Sequence, residues 1–382
     1  MPLLSCGGMR YQHSWEDKDA DGITREGQAN LEACIRKALN SGINHIETAR
    51  GYGTSEVQLG KILPLLPREG MIVQTKVSPD IEGGFRAGFD RSLRNLQLDH
   101  VDLLSIHGIN TRELWEETIR PGGALEAAQQ ILREGRATFL GFSTHAPCDV
   151  IEEIIASDAF DYVNLHWYFM NRTNWSAVKS AARHDMGVFI ISPTEKGGCM
   201  HQPSDKLTEL CSPLSPMVFN DLFCLLHHEV HTLSIGAARP SDFDEHLKIL
   251  PLLEAQGTAD LVHEIANRLE VEFQCVNGKT MPPRWDRDLP PFGEVAGGIN
   301  LQEIVRLWSL DRAFDMQNYG KLRYNILGNG GHWFPGVNAG EFDEIAIRAI
   351  GERVGLPQLV DILTKAHERF SDAPRKRLQQ ND

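Results

Sequence analysis

Four residues able to do chemistry stand where apolar runs of the chain stop. Glu47 lies in INHIETA, Tyr52 follows in the glycine-containing RGYGTSE, Lys76 is near the end of MIVQTKV and His107 near the end of HVDLLSIHGI. A tyrosine with an ordinary pKa of about 10 is a poor proton donor or base near neutrality. A nearby ammonium eases its ionisation, and a carboxylate can hold that ammonium in place. A histidine at the same mouth can donate a hydrogen bond to a carbonyl oxygen as charge gathers on it. No serine or cysteine in the set has a base at suggestive spacing, so covalent acyl chemistry is not indicated. Singly, each of the four also reads as a packed loop tyrosine, a paired lysine, a helix-facing carboxylate or a core histidine. Their joint position at successive strand exits is what gives the set its meaning.

The elements that must position them follow from periodicity. Residues 25–42 place Leu31, Ile35, Ala38 and Leu39 on one helical face, with Gly42 as a stop. Ser55 and Gln58 have capping-box spacing and predict a helix over 56–66, and Asp149 with Glu152 predict another start. Short apolar runs at 3–10, 43–49, 71–77, 100–109, 137–145, 161–167, 187–193 and 232–238 read as eight strands. Helical stretches lie between them. Eight strand–helix units in about 250 residues fit a closed (β/α)8 (TIM) barrel better than an open sheet. The GxGxxG signature of an open dinucleotide-binding sheet is missing after the first strand.

Beyond residue 257 the pattern changes. Helical spacing at 259–272, 301–315, 340–351 and 356–369 is interrupted by a Pro/Gly-rich stretch at 276–299 containing Trp285 and by an aromatic, glycine-rich stretch at 318–336. The division expected is a barrel over 1–257 and a mostly helical C-terminal extension over 258–382, its last residues, PRKRLQQND, frayed.

Composition bounds the function classes. A formal charge of −14 on 382 residues speaks against a protein that mainly holds nucleic acid or an anionic membrane. Seven dispersed cysteines without a CxxC pair suggest neither a disulfide framework nor a structural zinc or iron–sulfur site. No basic-then-apolar leader and no run of about 18 apolar residues is present. Cytoplasm is the expected compartment, a small molecule the expected partner, and oligomeric state stays open.

The segments IETARGYGTSEVQLG, VQTKV, LLSIHGI, FLGFSTH and IGAARPSDFDEH, in unbroken order over about residues 3–250, resemble the signature segments of the aldo-keto reductases. Those are NADP(H)- or NAD(H)-dependent barrel enzymes that reduce carbonyl groups. The resemblance implies Tyr52 as the general acid, Lys76 as the group that lowers its pKa, and His107 as the orienting donor. Glu47 falls where the family has an aspartate, a longer arm that could displace Lys76, and a displacement of the order of 1 Å can cost about 10²-fold in rate.

The same resemblance implies a cofactor site. Gly8 and Met9 follow the first strand. Ser143 and Thr144 would hold the nicotinamide carboxamide with Asn164, which replaces a glutamine, and Trp167 would stack on the ring. Ser192 and Lys196, in SPTEKGG, would close over the pyrophosphate. Gly236, Ala238 and Arg239 would receive the adenosine 2′-phosphate, with Asp242 and His246 near the adenine. NADPH is therefore preferred to NADH. The segment 299–336 resembles the extension of a bacterial branch of that family that often carries a ferredoxin-like four-cysteine site. Only Cys275 stands in the corresponding region here, and one thiolate cannot hold a four-iron cluster. A cluster-free NADPH-dependent carbonyl reductase is the reading. An NADP(H)-binding regulator with little turnover is the alternative, and a barrel hydrolase without nicotinamide a second one.

Overall fold

The computed structural model describes residues 1–278 and 288–378. The expectations for Trp285 and for the very end of the tail fall outside those residues. Within them the chain forms two compact units. The first comprises Met1–Gly197 with Asn220–Ala255; the second comprises Gly198–Phe219 with the chain from Gln256 onward.

In the first unit eight parallel strands close into a barrel in sequence order. They are β1 (Leu4–Gly7), β2 (His45–Glu47), β3 (Ile72–Val77), β4 (Val101–His107), β5 (Ala137–Ser143), β6 (Tyr162–Leu165), β7 (Gly187–Ile191) and β8 (Thr232–Gly236). Closure comes from β8 pairing with β1, Gly236 opposite Gly7, so no edge is left open. Each strand is shorter than its apolar run because the ladder ends where the crossover begins. Helices such as Arg25–Asn40, Phe85–Leu96 and Ala124–Arg133 bury an apolar stripe in the barrel unit.

Alternation decides what fills the barrel. The floor is apolar: Leu103, Tyr162 and Phe189 form one buried cluster, with Ile72 packed against it. Tyr162 stacks on Phe189 with ring centroids 4.8 Å apart. A Cβ on Gly141 would lie 2.4 Å from the Tyr162 ring, so only glycine fits there. One layer up, the same strands present polar groups. His45 Nε2 lies 2.9 Å from Gln74 Oε1, and Gln74 Nε2 donates to Ser105 Oγ at 3.0 Å and to Asn164 Oδ1 at 2.9 Å.

Three local expectations change. Ser55 is the first helical residue of a short helix, Ser55–Gly60, and not its cap; its hydroxyl meets Thr48 Oγ1 at 2.8 Å while Gln58 serves Thr54 and the backbone of His13. The helix therefore ends at Gly60 instead of near 66. The helix Cys148–Ile155 starts after Pro147 without a side-chain cap, because Asp149 faces Arg112 instead. A helix at Arg112–Ile119, capped by Thr111, was not anticipated, nor was Asp205–Cys211, capped by Ser204.

The second unit is helical: Asp205–Cys211, Thr258–Asn277, Leu301–Phe314, Gln317–Tyr324, Glu344–Arg353 and Leu359–Phe370. Half-buried Glu303 takes the guanidinium groups of Arg306 at 2.6 Å and Arg323 at 3.1 Å, and Arg323 lies over the Phe334 ring. Arg268 donates to the carbonyls of Leu210 and Ser212, joining the 198–219 excursion to the long helix. Among the described residues no helix is long and apolar enough to cross a membrane.

Burial of His45 gives a testable pH dependence. Desolvation, only partly offset by Glu47 and by the bond to Gln74, lowers its pKa from 6.5 to about 4. Between those values the unfolded chain binds a proton that the folded chain refuses. Stability from neutral His45 is thus fully present above pH 6.5 and is lost as pH falls toward 4. From pH 7 to pH 5 this amounts to about 2 kcal/mol. Urea unfolding of the parent and of His45→Gln should show a steeper acid loss in the parent; equal slopes would refute the assignment.

Candidate active site

The C-terminal ends of β2, β3 and β4 bring the four reactive side chains together. Lys76 Nζ donates to Glu47 Oε1 at 2.6 Å and to the Thr48 carbonyl at 3.2 Å. The same ammonium lies 5.3 Å from the centre of the Tyr52 ring. The Tyr52 ring meets His107 edge-on with centroids 5.5 Å apart, and Trp15 flanks it at 6.3 Å. The longer Glu47 arm thus reaches Lys76 and pairs with it.

The loop carrying Tyr52 is pinned from below. Arg50, just before it, pairs with buried Glu56 at 2.6 Å and with Asp17, and Glu56 also accepts from Thr75 at 2.7 Å. At Gly53, φ is +52° and a Cβ would lie 2.0 Å from the Ser14 carbonyl oxygen. Glycine there lets the loops after β1 and β2 touch, which sets Trp15 beside Tyr52.

Electrostatics follow from burial and the ion pair. Desolvation opposes the charge of Glu47, but the ammonium of Lys76 outweighs it and keeps the carboxyl below its usual range. Burial likewise disfavours a charged Lys76, yet Glu47 and Tyr52 raise its pKa overall. For Tyr52 the balance is reversed: burial pushes the phenol up, and Lys76 only partly offsets it. The net lowering expected of Tyr52 from the sequence is thus absent in the resting site. Burial thus favours the protonated phenol, with the Lys76 ammonium beside its ring.

Residues assigned to the cofactor fall into two groups. Ser143 and Asn164 are direct partners in the β5–β6 ladder. Ser143 Oγ accepts from Gly108 N at 3.1 Å, and Asn164 Oδ1 is held by Gln74. The Asn164 Nδ2 group is buried and without a partner. Gly8 is pressed against the Glu47 carbonyl and Ser55, and Met9 beside it is half-buried. Ser192 adopts φ +53°, and its carbonyl accepts from Lys196 N, closing a tight turn. Lys196 Nζ stands 3.2 Å from both His145 Nε2 and His166 Nε2. Arg239 is 74% exposed and engages Asp242 through Nε at 3.0 Å.

Four assignments are revised. Trp167 is buried and stacks on Trp175 and Phe223 with centroids 4.8 and 5.1 Å away, so it belongs to an aromatic cluster and has no open face for a ring. Thr144 spends its hydroxyl locally, donating to the Ile109 carbonyl at 2.6 Å and accepting from Ala146 N at 2.9 Å. His246 is buried between Asp221 at 2.5 Å and Thr194 at 3.2 Å, where it ties loops together instead of meeting an adenine. Asp242 turns its carboxylate into its own loop, accepting from Ala238 N at 2.9 Å and Arg239 N at 3.3 Å, so it is satisfied there.

Sequence reasoning also passed over several residues. Arg10 pairs with Glu195 and donates to the Gly236 carbonyl at 3.2 Å, linking the loops after β1 and β7 to the end of β8. His45 and Gln74 lie two residues before Glu47 and Lys76 on their strands; a polar residue at that parity inside an apolar run was the signal. No group of three or more His, Cys, Asp or Glu side chains suited to a metal is found among the described residues.

The ion pair carries a stability prediction. Lys76→Met leaves Glu47 buried without its partner and should cost roughly 3–5 kcal/mol. Lys76→Met combined with Glu47→Leu should recover much of that loss. Chemical denaturation of both variants checks this; a double variant no more stable than the single one would contradict it.

Residues 3–227 match the sequence model of the aldo/keto reductase family. Over 284 residues the chain is 36% identical to the L-galactose dehydrogenase of Arabidopsis thaliana, covering 65% of this chain and 86% of that protein. It is 35% identical over 158 residues to the morphine 6-dehydrogenase of Pseudomonas putida, 40% of this chain and 51% of that one. Among solved structures, the holo form of an aldo-keto reductase from Bacillus halodurans superposes with a TM-score of 0.55 at 22% identity, over 70% of this chain and 91% of that one. An aldo-keto reductase from Klebsiella pneumoniae in complex with NADPH gives 0.54 at 16% identity, over 70% and 91%. At such identities the structural likeness speaks for the fold, and the sequence match speaks for descent. With more than half its length under one family model and a 36% identical relative spanned over 86% of its length, this chain belongs to the aldo/keto reductase family.

Proposed function

We propose that this chain reduces the carbonyl group of an aldehyde or ketone with NADPH, which supplies the hydride, while Tyr52 supplies the proton to the oxygen. The observation that carries the reading is Lys76 held between Glu47 and Tyr52 beside His107. Tyr52, kept protonated by burial, donates to the carbonyl oxygen as it gains charge. Lys76 stabilises the phenolate left behind, and Glu47 holds Lys76 charged and in place. His107 orients the oxygen by a hydrogen bond. In the reverse direction the same groups take the proton from an alcohol. The dehydrogenase names of two relatives make a secondary alcohol or a sugar a reasonable substrate class for that direction.

The residues fit a nicotinamide cofactor at one end in a specific way. Asn164 has a buried N–H group with nothing to bond, next to Ser143 on the neighbouring strand. At the other end Arg239 is exposed with only Nε engaged, which leaves the rest of its fork for a 2′-phosphate. The solved Klebsiella pneumoniae relative holds NADPH, which agrees with the preference for the phosphorylated cofactor. Lys196 serves as a phosphate partner in the tight turn after β7. The longer carboxylate at Glu47 was the reason to consider a regulator without turnover; its contact with Lys76 supports the reading as an enzyme.

Residues 299–336 resemble the extension of the family branch that often carries ferredoxin-like clusters, and we read this chain as a cluster-free member in which Cys275 is exposed and alone in that region. Its negative charge and seven free cysteines agree with a reducing, cytoplasmic setting. Purified protein should contain well under about one iron per chain, since a cluster needs four ligands. Stoichiometric iron would refute the cluster-free reading.

Turnover provides the central test. The parent protein should oxidise NADPH with members of an aldehyde, ketone and sugar panel. Tyr52→Phe should bind NADPH with similar affinity and lose at least about 10²-fold in kcat, as expected for removal of a general acid. Unchanged turnover in Tyr52→Phe would sink the mechanism, and no NADPH binding by either protein would sink the cofactor.

A further inference from the structure

The polar layer beneath the site has a direction. His45, Gln74 and Asn164 come from β2, β3 and β6, and all are fully buried. An amide oxygen only accepts, so the 2.9 Å contact of Gln74 Oε1 requires a hydrogen on His45 Nε2. Gln74 Nε2 then donates to Asn164 Oδ1 at 2.9 Å and to Ser105 Oγ at 3.0 Å. The chain of donors ends at Asn164 Nδ2, which has no partner.

The opposite polarity needs three linked changes. His45 would accept, Gln74 would turn over, and Asn164 would donate downwards and leave its oxygen unpartnered. His45 Nδ1 has no partner either, so reversal would strand a buried N–H group in place of a lone pair. A stranded donor is the worse of the two. Burial keeps the His45 ring neutral at pH 7, so the Nε2–H tautomer is the single form that satisfies Gln74. Ser143, the ladder partner of Asn164, already accepts through Oγ from Gly108 N and keeps its hydroxyl hydrogen to give. Two neighbouring donors call for one acceptor.

Resting on the nicotinamide reading above, we propose that Gln74, its polarity set by His45, is a positioning residue that makes Asn164 offer its N–H to the carboxamide oxygen of the cofactor. The carboxamide NH2 group is then not what the barrel floor recognises. Neither His45 nor Gln74 touches the cofactor; both act through Asn164.

Cofactor analogues read the polarity directly by binding. A 3-acetylpyridine analogue of NADP+ offers only an acceptor at that position, and a 3-aminopyridine analogue offers only a donor. Titration of the full-length parent protein should show NADP+ and the acetyl analogue bound within about threefold of each other, and the amino analogue at least about tenfold more weakly, the scale of one lost hydrogen bond. Gln74→Met frees Asn164 to turn, so the acetyl-to-amino preference should shrink to within about threefold even if overall affinity falls. A general loosening of the barrel would weaken all three ligands alike and leave their ratios unchanged; that result overturns the proposal. The parent protein alone also decides the polarity should the variant not fold, because a preference for the amino analogue overturns it. Binding of none of the three dinucleotides overturns the nicotinamide reading, and the proposal with it.

Discussion

A charged pair sealed inside a barrel organises this site. Glu47 and Lys76 are almost completely buried, and removing two charges from water costs several kcal/mol each unless they meet at close range. The ladder sets Glu47, the last residue of β2, opposite Gln74, and Lys76 two residues further along β3 reaches back to it. Glu47 also favours the charged form of Lys76, and that ammonium lies beside the Tyr52 ring. The phenol stays protonated because burial outweighs that cation in the resting state. The proton becomes mobile only when a substrate oxygen takes up charge nearby, which suits a general acid.

Around this centre the loops after several strands are tied to one another by buried or half-buried polar contacts. Arg50 with Glu56 and Asp17 holds the loop of Tyr52. Arg10 with Glu195, and His246 with Asp221 and Thr194, hold the turn after β7. Asn220 adds a bond to the Pro193 carbonyl at 3.2 Å. Loops that carry function are ordinarily the mobile part of such a scaffold. Here these contacts tie the loops to one another within the barrel unit, which limits the freedom the reacting side chains have left to lose on binding.

Much of the fold was legible because two periods are printed in the chain. Short apolar runs with period-3.6 stretches between them count to eight, a number that fits a closed barrel. The reactive set was legible for a related reason: Glu47, Lys76 and His107 interrupt apolar runs near their ends, where a barrel places its site. The helix at Arg112–Ile119 and the short span of Ser55–Gly60 were not legible, since a cap is chosen by which hydroxyl finds a better partner, and Ser55 found Thr48. The fate of Trp167 and His246 was equally hidden. A tryptophan or histidine at a strand exit packs or binds according to neighbours such as Phe223 and Asp221, more than 20 residues away in sequence.

The residue types, their parity along each strand and their order belong to the chain itself, and they determined the barrel and which polar side chains stand at its strand ends. Which hydrogen each group carries and where it points was decided only by packing. Burial raised Tyr52 where a lysine alone would have lowered it, and a histidine across the barrel chose which end of Asn164 is free. Such outcomes depend on desolvation and on partners brought together by closure, and neither quantity exists until the eight strands have met.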